Sequence, residues 1–237
     1  MKVEVVIAGG GRGTRFSNSQ PKQFCSIAGK PILDWTLSRF ENSPLVTYII
    51  LVVPRGMKEK AKKILLLDSY KKLKLVTEGG EERSDSVHNG LIFVDNDTQV
   101  VLVHDGVRPL VSPSLIQSVI KYTETYAAVV PGVSVKETIK EKDEYDVVVK
   151  TLGRDKLRLI QTPQGFKYPI IKKAHQQAKV QNLKASDDAG LVEKLGEKVK
   201  IIPGEDSNIK ITTSFDFEMA ELLLREEQRT YEMWNRI

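Results

Sequence analysis

The chain has 237 residues, 41% hydrophobic and 28% charged, with a formal net charge of +5 at pH 7. That length suits one large α/β domain or two small ones and can bury a sizeable core, and the composition excludes a disordered or fibrous chain. A single cysteine, Cys25, excludes a disulfide framework and a thiolate metal cluster and points to a reducing cytoplasm.

Val3–Ala8 reads as a buried strand, too short and too interrupted by Glu4 for a signal segment. It breaks into AGGGRGTRFSNSQPKQF, residues 8–24, where Gly9, Gly10, Gly11 and Gly13 precede Arg15 and Lys22. The loop lacks G-x-x-x-x-G-K-[ST]. It is no dinucleotide fingerprint either, since Phe16 holds the third small position and no acidic residue closes a second strand. Glycine lets backbone N–H groups approach phosphate oxygens closely. An arginine fork and a lysine point charge add the full charges that backbone donors lack. The loop therefore reads as a phosphate cradle.

Pro31–Phe40 predicts a helix with proline in its first turn, and Thr47–Val53 a second strand. Residues 57–74 are the densest basic stretch, but Glu59 and Asp68 interrupt the lysines and the apolar residues recur at helical spacing. This is the wet face of an amphipathic helix, so a small phosphorylated ligand is favoured over nucleic acid. Leu73–Val76 is a third strand, running into EGGEERSDS with Ser84 or Asp85 as a helix cap. Gln99–His104 is a fourth strand, Ser112–Tyr126 a helix and Ala127–Pro131 a fifth strand.

Strands apolar on both faces and separated by helices predict an α/β fold with a predominantly parallel sheet and helices on both faces. The glycine-rich loop, EGGEERSDS and HDGVRP each begin where a strand ends, the edge at which such sheets bind ligands.

Residues 133–152 break the alternation: two β-prone stretches flank EKDEYD with no helix between them, and Lys136, Lys140, Lys142 and Lys150 exclude a core role. A projecting β-hairpin arm at about 133–153 is expected. Leu159–Thr162 leads to a helix near Tyr168–Ala178, and SDDAGLVEKLG is another with Ser186 as its cap. Val199–Ile202 and Ile209–Ile211 read as short strands. A long helix starts near Phe215, with Thr213 and Asp216 at capping-box spacing. No repeat or linker divides residues 1–237, so one domain with an arm is expected. No apolar run reaches membrane-spanning length. A soluble cytoplasmic protein is the expectation.

AGGGRGTRF…PKQF resembles the signature loop of the sugar- and polyol-phosphate nucleotidyltransferases. EGGEERSDSV, VLVHDGVRP, VKETIK, KTLGRDKL, QTPQGF, SDDA and NIKITT then follow in the order seen in the 2-C-methyl-D-erythritol 4-phosphate cytidylyltransferase family. The resemblance runs nearly end to end. It implies a Rossmann-like fold and cytidylyl transfer from CTP to methylerythritol phosphate, with release of pyrophosphate, in non-mevalonate isoprenoid synthesis. The attacking phosphate is already ionised at neutral pH, so no general base is obligatory. Positioning and positive charge carry such a reaction.

By matched position, the resemblance implies that Arg15 and Lys22 stabilise charge on the α-phosphate and the leaving pyrophosphate, while Arg154 and Lys210 position the polyol phosphate. Gly9, Gly10, Gly11, Gly13, Gly80, Glu81 and Ser86 would hold the nucleotide. Asp105, Arg108, Thr138 and Thr162 would bind the polyol phosphate. Asp105 would also stand near Mg2+ or another divalent cation carried mostly by the CTP phosphates. Thr138 and Arg154 reach a neighbouring subunit's site in this family, which implies a homodimer through the arm.

Glu81 stands where aspartate is common, and Gly106 and Val107 replace two small residues, with Val107 bulky enough to shift Arg108. Arg83 and Asp85 read as a pair holding their loop, and Asp187 and Asp188 as residues favouring a helix dipole rather than metal ligands. His104 reads as a structural neighbour, and His88 and His175 lack partners at metal-ligand spacing. Ribitol 5-phosphate cytidylyltransferases share AGG, TPQ and NIK, but the VKETIK…VVKTLGRD arm matches the methylerythritol enzymes better. A nucleotide-binding regulator without catalysis is a third reading, against which the presence of both Arg15 and Lys22 stands.

Overall fold

The computed structural model describes residues 1–11, 21–65 and 67–234. In chain order, β1 (Val3–Ala8) is followed by a small antiparallel ladder of β2 (Ser26–Ile27) and β3 (Lys30–Pro31), then α1 (Ile32–Glu41) and β4 (Tyr48–Val53). Next come α2 (Lys58–Ile64), β5 (Leu73–Glu78), α3 (Arg83–Leu91), β6 (Val100–Asp105), α4 (Pro113–Thr125) and β7 (Ala128–Ser134). An isolated hairpin of β8 (Ile139–Lys142) and β9 (Val148–Leu152) precedes β10 (Arg158–Ile160) and β11 (Gln164–Lys167). The chain continues through α5 (Tyr168–Gln181), α6 (Asp188–Lys194), β12 (Val199–Pro203) and α7 (Ser214–Trp234).

Eight strands form one sheet. β5, β4, β1 and β6 lie side by side in parallel; the apolar runs of β1, β4 and β6 fit cover on both faces, with every residue of β6 and five of six in β1 and β4 buried, while β5 at the edge buries only Val76. β7 and β12 are also parallel to each other. The antiparallel β11 is inserted between β6 and β7, and β10 pairs antiparallel with the C-terminal end of β7. Alternate side chains of β1 serve opposite faces. Val3, Val5 and Ile7 pack with Leu33, Leu37 and Phe40 of α1 and with α4, while Val6 packs with Val87 and Leu91 of α3 and with α5 and α6. The expected doubly covered α/β sheet is the architecture found. No helix of the described residues is long and apolar enough to cross a membrane.

Several local expectations shift. The basic stretch is not one helix: α2 stops at Ile64, a short 3-10 turn spans Leu67–Ser69, and Tyr70 turns inward to donate to the Asp34 carboxylate at 2.9 Å. Its Lys60, Lys62 and Lys63 do face solvent. α1 opens with Pro31 in the capping position. Neither Ser84 nor Asp85 caps α3; Glu82 does, and Asp85 completes a capping box by accepting the Glu82 N–H at 3.1 Å. Asp187, not Ser186, caps α6 by accepting the Gly190 N–H at 2.9 Å. Ile209–Ile211 forms no strand, because it runs as a loop held to the domain by the Ile211 N–H donating to Val107 O at 3.0 Å. The Thr213–Asp216 capping box at the start of α7 is present in both directions, at 2.8 and 3.2 Å.

The arm is a two-stranded ladder with Ile139 opposite Leu152 and Glu141 opposite Lys150. β7 runs through Pro131 to Ser134 within the main sheet, so the free hairpin begins later than the sequence suggests. None of its strand residues is buried.

Candidate active site

From β1 the chain moves outward through β4 to β5, then crosses back to set β6 on the other side of β1. Strand order reverses beside β1, and at such switch points loops diverge and leave a crevice. A cavity of about 320 Å3 opens there, lined by residues 8–11, Lys22, Gln23, residues 81–83, Ser86, Asp105, Val107 and Lys210. The three loops that the sequence places at strand ends meet in this cavity, joined by the NIK segment.

Close packing explains Gly10, Gly79 and Gly80. A Cβ on Gly10 would stand 2.5 Å from Ser86 Oγ, and one on Gly79 would stand 2.4 Å from the same oxygen. Ser86 is thus sandwiched between the two loops. Gly80 is equally constrained, since its Cβ would meet Asp85 Cβ at 2.2 Å, and it does not line the cavity. Gln23, which sequence reasoning passes over, is buried and donates from Nε2 to the carbonyls of Gly9 (2.5 Å) and Gly11 (2.9 Å). It holds the start of the glycine loop from behind.

Asp105, the last residue of β6, is the electrostatic centre. Its Oδ1 meets Arg83 Nε at 3.0 Å, and its Oδ2 meets Lys210 Nζ at 2.9 Å and Arg108 Nε at 3.4 Å. Burial opposes its charge, but Arg83, Lys210 and Arg108 outweigh that and hold its carboxyl far below the usual carboxylate range. Arg83 does not pair with Asp85. Its Nη1 reaches Asp188 Oδ2 at 2.6 Å, so Asp188 is a buried ion-pair partner while Asp187 alone caps α6. Lys22 Nζ donates to Ile211 O at 2.7 Å, beside Lys210.

Beneath Asp105 lies a polar network. His104 is fully buried, which drives its pKa down to about 3 and leaves it neutral. Its Nε2 stands 3.1 Å from the Arg108 carbonyl, which only accepts, so the ring proton is on Nε2 and Nδ1 is an acceptor. Thr162 Oγ1 therefore donates to Nδ1 at 3.1 Å and accepts the Asp105 N–H at 3.1 Å. Thr162 is buried below the site. Arg108 is buried as well, donating to Asn208 O at 2.7 Å, and neither residue lines the cavity. Val107 packs with Ile211, Ala220 and Leu224, while a Cβ on Gly106 would stand 2.9 Å from Leu33 Cδ1.

Of the sequence-predicted residues, Gly9, Gly10, Gly11, Lys22, Glu81, Ser86, Asp105 and Lys210 are gathered around the cavity. Thr138 and Arg154 are exposed on and beside the arm, away from the lining of this chain's cavity, and Arg154 Nη1 donates to Lys136 O at 2.6 Å. Gly13 and Arg15 lie outside the described residues. Arg83 and Gln23 join the lining, and Asp188 stands behind it. Among the described residues no group of three or more His, Cys, Asp or Glu could hold a metal ion. Asp105, Glu81 and Glu82 are the carboxylates that line the cavity among the described residues, and Asp105 is already paired with Arg83, Lys210 and Arg108.

The family model for IspD, 2-C-methyl-D-erythritol 4-phosphate cytidylyltransferase, matches residues 3–226. The chain is 42% identical over 229 residues to the 2-C-methyl-D-erythritol 4-phosphate cytidylyltransferase of Pelotomaculum thermopropionicum, covering 96% of each. It is 43% identical over 222 residues to the enzyme of that name from Clostridium botulinum strain Eklund 17B, covering 94% of this chain and 99% of the other. The crystal structure of 4-diphosphocytidyl-2C-methyl-D-erythritol synthase from Anaerococcus prevotii superposes with a TM-score of 0.83 at 30% identity, over 94% of this chain and 96% of that one.

Proposed function

The chain belongs to the 2-C-methyl-D-erythritol 4-phosphate cytidylyltransferase family, and from that premise we propose how its own residues perform the transfer. It is a CTP-dependent nucleotidyltransferase that moves a cytidylyl group onto 2-C-methyl-D-erythritol 4-phosphate in the non-mevalonate isoprenoid pathway. The observation that carries the assignment of roles is the single cavity in which the glycine loop, Lys22, Arg83, Asp105 and Lys210 meet.

Residues 9–11 cradle the phosphates with backbone donors, and Ser86 and Glu81 hold the cytidine. Arg15 and Gly13 are assigned to the nucleotide as well, and Gly80 shapes the loop that carries Glu81. The polyol phosphate enters beside Lys210, with Asp105 accepting from its hydroxyls, and Arg108 and Thr162 fix Asp105 from below. A phosphate oxygen attacks the α-phosphorus of CTP, the bond to the β-phosphate oxygen breaks, and pyrophosphate leaves. Lys22 and Arg15 offset the charge that builds up during this displacement. A divalent cation, when bound, neutralises triphosphate charge, with Asp105 as its protein neighbour.

The working form is a cytoplasmic homodimer in which the arm carries Thr138 and Arg154 to the partner's polyol phosphate. It acts on small molecules and not on nucleic acid. Pyrophosphate release from CTP tests the reading, measured with methylerythritol phosphate and with ribitol 5-phosphate as separate acceptors. Release is expected with the first; no release with either acceptor in the presence of magnesium overturns the assignment.

A further inference from the structure

Behind the cavity lies a buried chain of charged and polar groups, contributed by α3, α5 and α6, that the transfer itself does not use. Arg83 is the first residue of α3 and lines the cavity, with 29% of its side chain exposed, while its guanidinium is anchored on both Asp105 and Asp188. Asp188 is fully buried among Ala189, Leu191 and Val192. An ionised carboxylate in such surroundings needs partners for both oxygens. Arg83 takes Oδ2, and the other oxygen, Oδ1, lies 3.0 Å from Nε2 of His175 on α5. A carboxylate accepts only, so Nε2 carries the proton and donates. His175 is itself buried, and the ring of His88 lies face-on to it at 6.1 Å.

We propose that His175 is a positioning residue for the nucleotidyl transfer, holding Asp188 so that Arg83 stays extended between Asp188 and Asp105 at the nucleotide cavity. The proposal rests on the cytidylyltransferase reading of that cavity. Without the His175 donor, Asp188 Oδ1 is left buried and unpaired. The carboxylate then has reason to turn both oxygens onto Arg83 or to take up a proton. The first draws the guanidinium away from Asp105, and the second releases Arg83 from Asp188. In either case Asp105 shares its charge differently among Arg83, Arg108 and Lys210. His175 does not line the cavity, so its influence travels through one hydrogen bond to Asp188 and one ion pair from Asp188 to Arg83.

The test compares three forms of the full-length enzyme in pyrophosphate release: wild type, His175→Leu and His175→Gln. Wild-type release comes first, since its absence defeats the underlying reading and leaves nothing for His175 to position. With wild type active, His175→Leu is expected to lower kcat/KM for CTP about tenfold, with more of the change in KM than in kcat, because a hydrogen bond to a buried charge is lost. His175→Gln keeps an N–H donor on a side chain of similar reach and is expected to recover kcat/KM to within about threefold of wild type. The Leu change is then repeated in an Arg83→Ala background, where its kinetic effect should vanish. A folded His175→Leu enzyme with wild-type kcat and KM overturns the proposal. So does a Leu effect that persists undiminished without Arg83. If His175→Leu does not fold, His175→Asn takes its place, a shorter side chain that withdraws the donor from Asp188: a loss in kcat/KM that vanishes in the Arg83→Ala background supports the proposal, and wild-type kinetics or a loss that persists there overturns it.

Discussion

Lys22 Nζ donates to the carbonyl of Ile211 over 2.7 Å, which fastens the amine after the glycine loop to the residue that follows Lys210. Ile211 is itself fully buried and donates its N–H to Val107 O at 3.0 Å. One point therefore joins the PKQF, HDGVRP and NIK segments, which lie far apart in the chain. A long flexible lysine held in this way enters the reaction with much of its conformational freedom already lost, which is how a fixed charge acts at a developing anion.

Lys22→Ala should therefore cost turnover far more than nucleotide affinity. We expect kcat to fall about 100- to 1,000-fold, with CTP affinity changing less than about tenfold. Single-turnover pyrophosphate release and equilibrium CTP binding together measure the two. Equal losses in both would assign Lys22 to ground-state binding.

Gly10 and Gly11 are adjacent, and their surroundings separate two uses of glycine. A Cβ on Gly10 meets Ser86, while one on Gly11 meets nothing within 4 Å. Gly10→Ala should destabilise the fold by about 1–3 kcal/mol through overpacking. Gly11→Ala should leave stability within about 0.5 kcal/mol of wild type. If the backbone at Gly11 approaches phosphate, Gly11→Ala nevertheless raises KM for CTP. Thermal melts with CTP kinetics on both variants read the contrast, and an unchanged KM for Gly11→Ala would remove that residue from the cradle.

His104 predicts a pH dependence of stability. Its folded pKa of about 3 lies below the ordinary histidine value, so the unfolded chain binds a proton first as pH falls. The stabilisation is full above the unfolded pKa near 6.5 and drains away below it. From pH 7.5 to 5.5 the loss is about 1.4 kcal/mol from this residue. His88, whose pKa burial also lowers, adds in the same direction. Asp105 and Asp188 are depressed carboxylates, so their stabilisation is intact above the unfolded value near 4 and is lost as pH falls from there through their lower folded values, outside this range. Denaturant unfolding across pH 7.5–5.5 should show a slope that flattens in His104→Gln. An unchanged slope would mean that His104 is not held neutral.

Much of the site is legible in the chain because its parts are local. β1 keeps the Val3–Ala8 limits read from its apolar run, and Gly9, Glu81 and Asp105 sit at the ends of strands that hydrophobic patterning alone locates. What the sequence conceals is pairing across distance. Arg83 and Asp188 are separated by 105 positions, and no periodicity links an arginine at one helix start to an aspartate at another. Asp85, two residues from Arg83, is the local and wrong partner because α3 claims it for its capping box. β11 is hidden for a related reason. QGFK is four residues long with no alternation, and its insertion between β6 and β7 depends on partners about 60 and 40 residues earlier. Ile211 shows the converse: its apolar run suggests a strand, but its burial against Val107 and α7 is met by a loop.

The arm gives the remaining prediction. β8 and β9 bury no residue, and Tyr145, Val147, Val148 and Val149 are all more than half exposed. A two-stranded hairpin with no covered face is marginal in water, and the homodimer proposed above would give it a surface to pack on. If Arg154 serves the partner's cavity, Lys22→Ala and Arg154→Ala damage different halves of each site. In a mixed dimer one site then carries both changes and the other carries neither. Random exchange makes half of all dimers mixed, so an equal mixture of the two inactive variants should regain about a quarter of wild-type specific activity. Pyrophosphate release after unfolding and refolding the two together measures this, with differential tags to verify mixed dimers. No recovery in verified mixed dimers would place Arg154 with its own chain's site or outside catalysis altogether.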